Sequence, residues 1–314
     1  MQCPSPQRVP AMSSIVAAFV SVSAIAAIGF VAGRWLQLEH RTLAQLALYV
    51  LAPALIADKL YRTTLSLQSA LGLLAGFAAV SGLLYLLVWG ISRLLSLSLA
   101  REKELVAIGL FSNAGNLGLP FVAFTLGDAG LERAAIYLVA SAIALFGLGP
   151  AFLQGAGLAR GLTLVLRLPL FWAMLVGLAL NVAVVELPLQ LGETLRQLGQ
   201  AAIPVALIVL GMQLATTRLA VGAYELAATG LRLLVAPLMA YLVAQGLALA
   251  PLDTQVLVLQ SGMPVAVNSV VLVSEFGGDP SEVARIVALS TLVSPLTLTL
   301  AFALASTHIL GGFG

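Results

Sequence analysis

Charge, histidine and cysteine are all scarce in this chain. Its 314 residues hold 15 Lys and Arg, 13 Asp and Glu, two His and one Cys. Charged residues make up 9%, against about 25% in a soluble domain. A net charge of +2, without an arginine-rich or aromatic-interleaved patch, excludes nucleic-acid binding. Cys3 has no thiol partner within the chain, so neither a disulfide nor a Cys-based metal site is expected. No apolar stretch precedes it, so it does not read as a lipidation site. His40 and His308 fall near segment ends, which argues against a His-based metal site or proton relay. A Walker P-loop is missing, so ATP does not drive this chain directly. Paired Asp, Ser with His or Lys, and His/Glu metal ligands are missing at mid-span, as is a fixed carboxylate pair. An enzyme is therefore the least favoured class, and no cofactor is expected.

Apolar length is what the chain has. Hydrophobic residues make up 61% and the mean hydropathy is +1.06, which describes an all-α polytopic membrane protein. Windows of about 20 apolar residues predict ten transmembrane helices over 14–34, 42–60, 67–95, 104–126, 132–154, 165–186, 197–217, 224–249, 254–276 and 281–306. Residues 14–32 are long enough to read as a retained first helix rather than a signal peptide. Residues 1–13 read as a disordered leader, 155–164 as a short linker and 307–314 as a tail. Basic residues set the orientation. With the N-terminus outside, the inner connections hold Arg34, Arg41, Arg93, Arg101, Lys103, Arg160, Arg167, Arg218 and Arg285. The outer ones hold Arg8, Lys59, Arg62, Arg133 and Arg196. The positive-inside rule then puts both termini outside.

Two of the apolar segments are interrupted. The first carries Ser112-Asn113-Ala114-Gly115-Asn116-Leu117-Gly118-Leu119-Pro120, the second Ser261-Gly262-Met263-Pro264-Val265-Ala266-Val267-Asn268-Ser269. Each is followed by Gly-Asp, at Gly127-Asp128 and Gly278-Asp279, and then by an acidic and a basic residue. The offset is about 150 residues, or five helices. An odd number of spans per repeat forces the copies into opposite orientations. The expectation is two inverted five-helix repeats, 14–154 and 165–306, with broken helices 4 and 9 crossing.

Hydrocarbon offers no hydrogen bonds, so a break at mid-membrane needs a compensating use. Gly115, Gly118 and Gly262 weaken the helix, while Pro120 and Pro264 fit the first turn of a restarted half-helix. Two half-helix N-termini would then meet, and such ends favour a carboxylate. Asn113, Asn116 and Asn268 offer amide donors without a buried fixed charge; Ser112, Ser261 and Ser269 add hydroxyls. Taken singly, each of these residues fits a cap or an interhelical hydrogen bond better than a substrate contact. The mirrored placement of the pair favours a substrate site. Asp58 is a candidate for coupling, and with Lys59 also fits a pair reaching for the interface. Asp128 and Asp279 read as helix caps; Asn181, Gln213 and Gln245 as interhelical glue; Gly72, Gly76 and Gly82 as close-packing positions; and Pro53 and Pro204 as a kinked pair.

Asn113-Ala114-Gly115-Asn116-Leu117-Gly118-Leu119-Pro120 resembles the signature of the auxin efflux carrier family of permeases. Pro264-Val265-Ala266-Val267-Asn268 with Phe276-Gly277-Gly278-Asp279 resembles its second signature. Leu168-Pro169-Leu170, Gly177-Leu178-Ala179-Leu180-Asn181 and Leu210-Gly211-Met212 match its style. The family is related to the plant auxin carriers and shares the plan of bile acid/sodium symporters. The resemblance implies a scaffold of helices 1, 2, 6 and 7, a transport domain of helices 3–5 and 8–10, a substrate site at the crossing, and elevator-like movement. The short central connection resembles the bacterial type and implies the inner membrane. The expected function is secondary active transport of a small mono- or dicarboxylate. The alternatives are a sodium-coupled symporter of the bile-acid type, which lacks its carboxylate cage here, and a non-transporting receptor or assembly protein. Expected partners are the organic anion, the lipid bilayer and a second copy of the chain through the scaffold.

Single cysteines placed in 127–131 and in 277–281, in a Cys3→Ser background, should react with impermeant reagents from opposite sides of the membrane. Labelling from one side would remove the inverted arrangement.

Overall fold

The computed structural model describes residues 12–36, 38–149, 158–217, 221–275 and 278–311. Residues 1–11 of the expected leader lie outside these. Helix α1 spans Met12–Trp35. Helix α2 (His40–Leu46) runs through a π-turn, Ala47–Leu51, into α3 (Ala52–Tyr61). Then come α4 (Leu67–Leu94), α5 (Leu99–Leu110), a π-turn over Ala114–Gly118, α6 (Leu119–Ile143) and a π-turn over Ala144–Leu148. Helices α7 (Leu158–Leu166), α8 (Pro169–Val182) and α9 (Leu191–Thr216) follow. Helix α10 (Ala223–Gly230) passes through a π-turn, Leu231–Val235, into α11 (Ala236–Gly246). The chain closes with α12 (Pro251–Ser261), α13 (Asn268–Glu275) and α14 (Pro280–Gly311).

Among the described residues, seven helical stretches are long and apolar enough to cross a membrane, or eight if α7 and α8, bent by 64°, count as one. One of the seven, Ala114–Leu148, has 35 residues. At 1.5 Å per residue it would reach about 50 Å, well beyond a hydrocarbon core of about 30 Å. It is divided at Gly127, whose φ of 64° and ψ of −159° lie outside the helical region and are open to a residue without Cβ. Residues 158–164, expected as linker, belong to α7, and residues 307–311 of the expected tail continue α14.

Among the described residues four π-turns occur, and each ends two residues before a proline in the sequence; the described ones of these prolines are Pro53, Pro120 and Pro237. Each closes with a bond from the residue preceding the proline to the carbonyl five back: Ala52 to Ala47, Leu119 to Ala114, Gly149 to Ala144 and Ala236 to Leu231. A helical proline lacks its donor and presses on the carbonyl four residues earlier. The widened turn takes up that mismatch without ending the helix. Pro53 and Pro204 are therefore not local equivalents, because Pro204 sits inside the α-helical run of α9.

Two sets of helices are visible in the packing. In one, α1 lies along α9, and α3 packs on α8 and α9. Glycines set these approaches. A Cβ on Gly29 would meet the Ile208 backbone, and one on Gly211 the backbone of Ala26 and Phe30. Gly177 and Gly199 likewise face the backbones of Ala57 and Leu55. The other set gathers α4, α5, α11, α12 and α14 around a core of Phe77, Val88, Ile108, Leu257, Val283 and Ile286. Between the sets runs an apolar seam where Leu55, Leu207 and Leu210 meet Leu117, Leu119, Phe121 and Met263. Gly72 and Gly76 lie against Leu249 and Leu257, but Gly82 faces open space, so close packing is not its role.

Ion pairs join the helix ends. Arg133 reaches Asp253 at 2.5 Å, while Arg101 contacts Glu282 and Arg285 contacts Glu225 at 2.9 Å. Lys59 pairs with Asp128 at 2.5 Å and the Thr63 hydroxyl donates to Glu132 at 2.7 Å. Asp128 is thus an ion-pair partner rather than a cap. Asp279 does cap, accepting from the N–H groups of Ser281 and Glu282. Asn181 donates to the carbonyls of Tyr61 and Thr63, joining α8 to the end of α3.

Gly211→Val would force backbones apart at a contact with no slack, an overpacking loss of about 1–3 kcal/mol. Thermal unfolding in detergent should show a melting point lower by several degrees, with Gly82→Ala unchanged or slightly raised. Equal melting points for Gly211→Val and the wild type would contradict the close approach.

Candidate functional site

The first interruption begins where α5 ends. Phe111 turns extended (φ −97°, ψ 100°), and Asn113 leaves the helical region (φ −75°, ψ 54°). Helix then restarts at Ala114. The Asn113 side chain caps it, accepting from the Asn116 N–H at 3.2 Å, and the Asn113 carbonyl accepts from Gly118 at 3.0 Å. The second interruption follows Ser261, and helix resumes at Asn268. The prolines therefore do not open the half-helices as the sequence predicts. The first half-helix starts before Pro120 because Asn113 caps it and the π-turn accommodates the ring. The second starts after Pro264, which holds the chain extended.

The two interruptions pair with each other. Ser112 and Val265 form an isolated antiparallel bridge. The Asn113 N–H donates to the Pro264 carbonyl and the Ala266 N–H to the Phe111 carbonyl, both at 2.8 Å. The Val265 N–H, pointing away, donates to the Ser290 hydroxyl at 3.2 Å. Backbone groups released by unwinding are thus taken up by the opposite break, by α14 and by the Arg232 guanidinium.

A cavity of about 630 Å³ lies beside this junction. Asn116 contributes from the first break and Asn268 from the start of α13. Gln45 of α2 and Gln213 of α9 add further amides to the wall, and the buried Oε1 of Gln213 has no partner among the described residues. Arg41, Arg160 and Arg167 also line the space, all three exposed, against one carboxylate, Glu275. A second space of about 50 Å³ adjoins Gly115, Asn116, Leu119 and Pro120 on one side and Leu48, Leu55 and Ala202 on the other.

Of the residues expected at the site, Asn116 and Asn268 face the cavity. Asn113, Ser112, Ser261 and Ser269 are buried and do not line it. Asn113 is committed as a cap, and Ser261 lies 3.3 Å from the Tyr137 hydroxyl. The Ser112 and Ser269 hydroxyls and the Asn113 amide nitrogen have no partner among the described residues. Gly118 is packed on Gln260 and Gly262 on Pro237. Asp58 is buried at the end of α3, accepts from the Arg62 guanidinium at 2.8 Å and is not a cavity residue. Gln213, which reads from sequence as interhelical glue, and the three arginines, which there bear only on orientation, are cavity residues that residue type alone does not mark. Nor does residue type mark Arg232. That side chain is fully buried and donates to the carbonyls of Gly109, Ser261 and Met263. Among the described residues no group of three His, Cys, Asp or Glu is placed to hold a metal ion.

The chain matches the membrane transport protein family over residues 14–155 and 161–302. It is 31% identical over 269 residues to an uncharacterized transporter of Methanothermobacter thermautotrophicus, covering 83% of this chain and 88% of that one. It is 24% identical over 263 residues to a protein of Rhizobium meliloti provisionally named a malonate transporter, covering 80% and 82%. A third relative, an uncharacterized transporter of Methanocaldococcus jannaschii, is 24% identical over 204 residues, covering 62% and 66%. With several helices of membrane-spanning length and a match running through both halves, the chain belongs to the membrane transport protein family, that of the auxin efflux carriers.

Proposed function

We propose that this protein is a secondary transporter that carries a small organic anion across the inner membrane. The observation that carries the reading is the 630 Å³ cavity, which gathers Asn116 and Asn268 from the two breaks with Arg41, Arg160 and Arg167. Three exposed cations around a recess with largely apolar walls raise the local concentration of an anion. Two amides at the start of helices then meet it without a fixed charge that would hold it too tightly. A carboxylate of the size of malonate is consistent with the volume and with the name of one relative.

Ten crossings in two inverted repeats are part of this proposal. In support, Arg101 at the start of the first broken segment contacts Glu282, which follows the second break. Asp253 at the start of the second broken segment contacts Arg133, which follows the first. Such a reciprocal pair is consistent with two opposed repeats. The elevator reading is supported by the division of the packing: α1, the continuous α2–α3, α8 and α9 as scaffold, α4–α6 and α10–α14 as the moving part. Lys59–Asp128 and Thr63–Glu132 join the end of α3 to the stretch following the first break, away from the arginine-lined end of the cavity. In this reading they hold the far side shut while the arginine side is open. With the N-terminus outside, the open side is cytoplasmic. Asp58, paired with Arg62, is then part of the scaffold's outer end rather than a coupling group.

The test is malonate affinity measured by calorimetry on purified, folded protein. Asn116→Ala and Asn268→Ala should each weaken binding by roughly 1–3 kcal/mol, the loss for an unpaired polar partner, or about 5- to 150-fold. Asn116→Asp and Asn268→Asp should weaken it further by setting a negative charge against the anion. Asn113→Ala should act on stability first, by about 1 kcal/mol, since its side chain caps the half-helix. Wild-type affinity in both cavity-facing alanine variants would place the site elsewhere.

A further inference from the structure

We infer that Arg232 is the positioning residue of the crossing: its guanidinium ties the ends of the two first half-helices together and balances their charge. Arg232 lies nine residues into the helix that starts at Ala223, roughly 14 Å along it at 1.5 Å per residue, and is 1% exposed. No carboxylate pairs with it among the described residues. A lone cation at that depth is costly unless something replaces its counter-ion. The three carbonyls do so. Gly109 is in the last turn of α5, before the first break. Ser261 ends α12 and Met263 lies two residues further on, inside the second break. The Met263 contact is 2.9 Å from Nε.

The final carbonyls of a helix have no intrahelical partner and carry about half an elementary negative charge. Two such ends sum to about one negative charge, the complement of one guanidinium. A forked, planar donor set reaches carbonyls on two separate helices at once, which an ammonium on a single stem does poorly. The π-turn Leu231–Val235 places this side chain, and Pro237, which brings the π-turn, also packs on Gly262 of the second break. With the negative ends neutralised, the opposite ends of the junction, where Asn113–Ala114 and Asn268 begin new helices, keep their positive character unopposed on the cavity side.

Hydrogen exchange followed by mass spectrometry tests the tie without any ligand. In Arg232→Met, segments covering 105–118 and 258–270 should exchange at least tenfold faster, because the Asn113 and Ala266 amides lose their partners across the bridge. Segment 67–94 should be unchanged. If Arg232→Met loosens 67–94 as well, Arg232→Lys decides. It keeps the charge but not the fork, so exchange should rise several-fold at the two breaks alone. Wild-type protection of both breaks in either variant overturns the inference. The link to the anion rests on the function proposed above and is read separately: malonate affinity in the two variants should fall in step with exchange. Faster exchange at the breaks with wild-type malonate affinity would leave the tie standing and remove the breaks as the anion site.

Discussion

A chain that crosses hydrocarbon has no water to complete its hydrogen bonds, and here two interrupted segments meet that constraint by pairing with each other. Unwinding 111–113 frees donors and acceptors, and unwinding 262–267 frees a matching set. The bridge between Ser112 and Val265 takes up one donor and one acceptor from each, and Ser290 and Arg232 take up further groups of the second break. Neither break is tolerable alone, so the two halves of the chain must come together for either to exist. The rest of the architecture follows from that obligation. The core of Phe77, Ile108, Leu257 and Ile286 holds the half-helices in register, and the reciprocal ion pairs at Arg101 and Arg133 hold their outer ends.

Charge is used sparingly and in layers. Fixed cations lie where water reaches them, at Arg41, Arg160 and Arg167. Deeper, the chain turns to dipoles: amides at Asn116 and Asn268 and the ends of helices. Arg232, the one fully buried cation among the described residues, is spent on carbonyls of the chain itself. This gradient, from strong and wet to weak and dry, suits a carrier that has to release what it binds.

Much of this was legible in the sequence because it rests on backbone chemistry. Glycine, proline and asparagine together at mid-segment announce a break, and both breaks occur where they are expected. The site was legible in part: Asn116 and Asn268 face the cavity, but Ser112, Ser261 and Ser269 are buried beside the junction instead. The prolines misled because a proline has two outlets, a helix start or a π-turn, and local sequence does not choose between them. At Pro120 the cap supplied by Asn113 moved the start six residues earlier. Gln213 and Arg232 were illegible for a different reason. Their roles depend on which helix they face, and a single polar residue in a helical run carries no mark of its neighbour.

An anion bound at the junction of the breaks would shield the side chains around it. Protection of a cysteine placed there measures that shielding most directly. In a Cys3→Ser background, Asn268→Cys should react with a methanethiosulfonate reagent from the cavity side, and saturating malonate should slow that reaction severalfold. A cysteine at Thr216, beyond the cavity lining, should react at one rate with or without malonate. Equal rates at position 268 with and without malonate, in protein that still takes up malonate, would contradict the account.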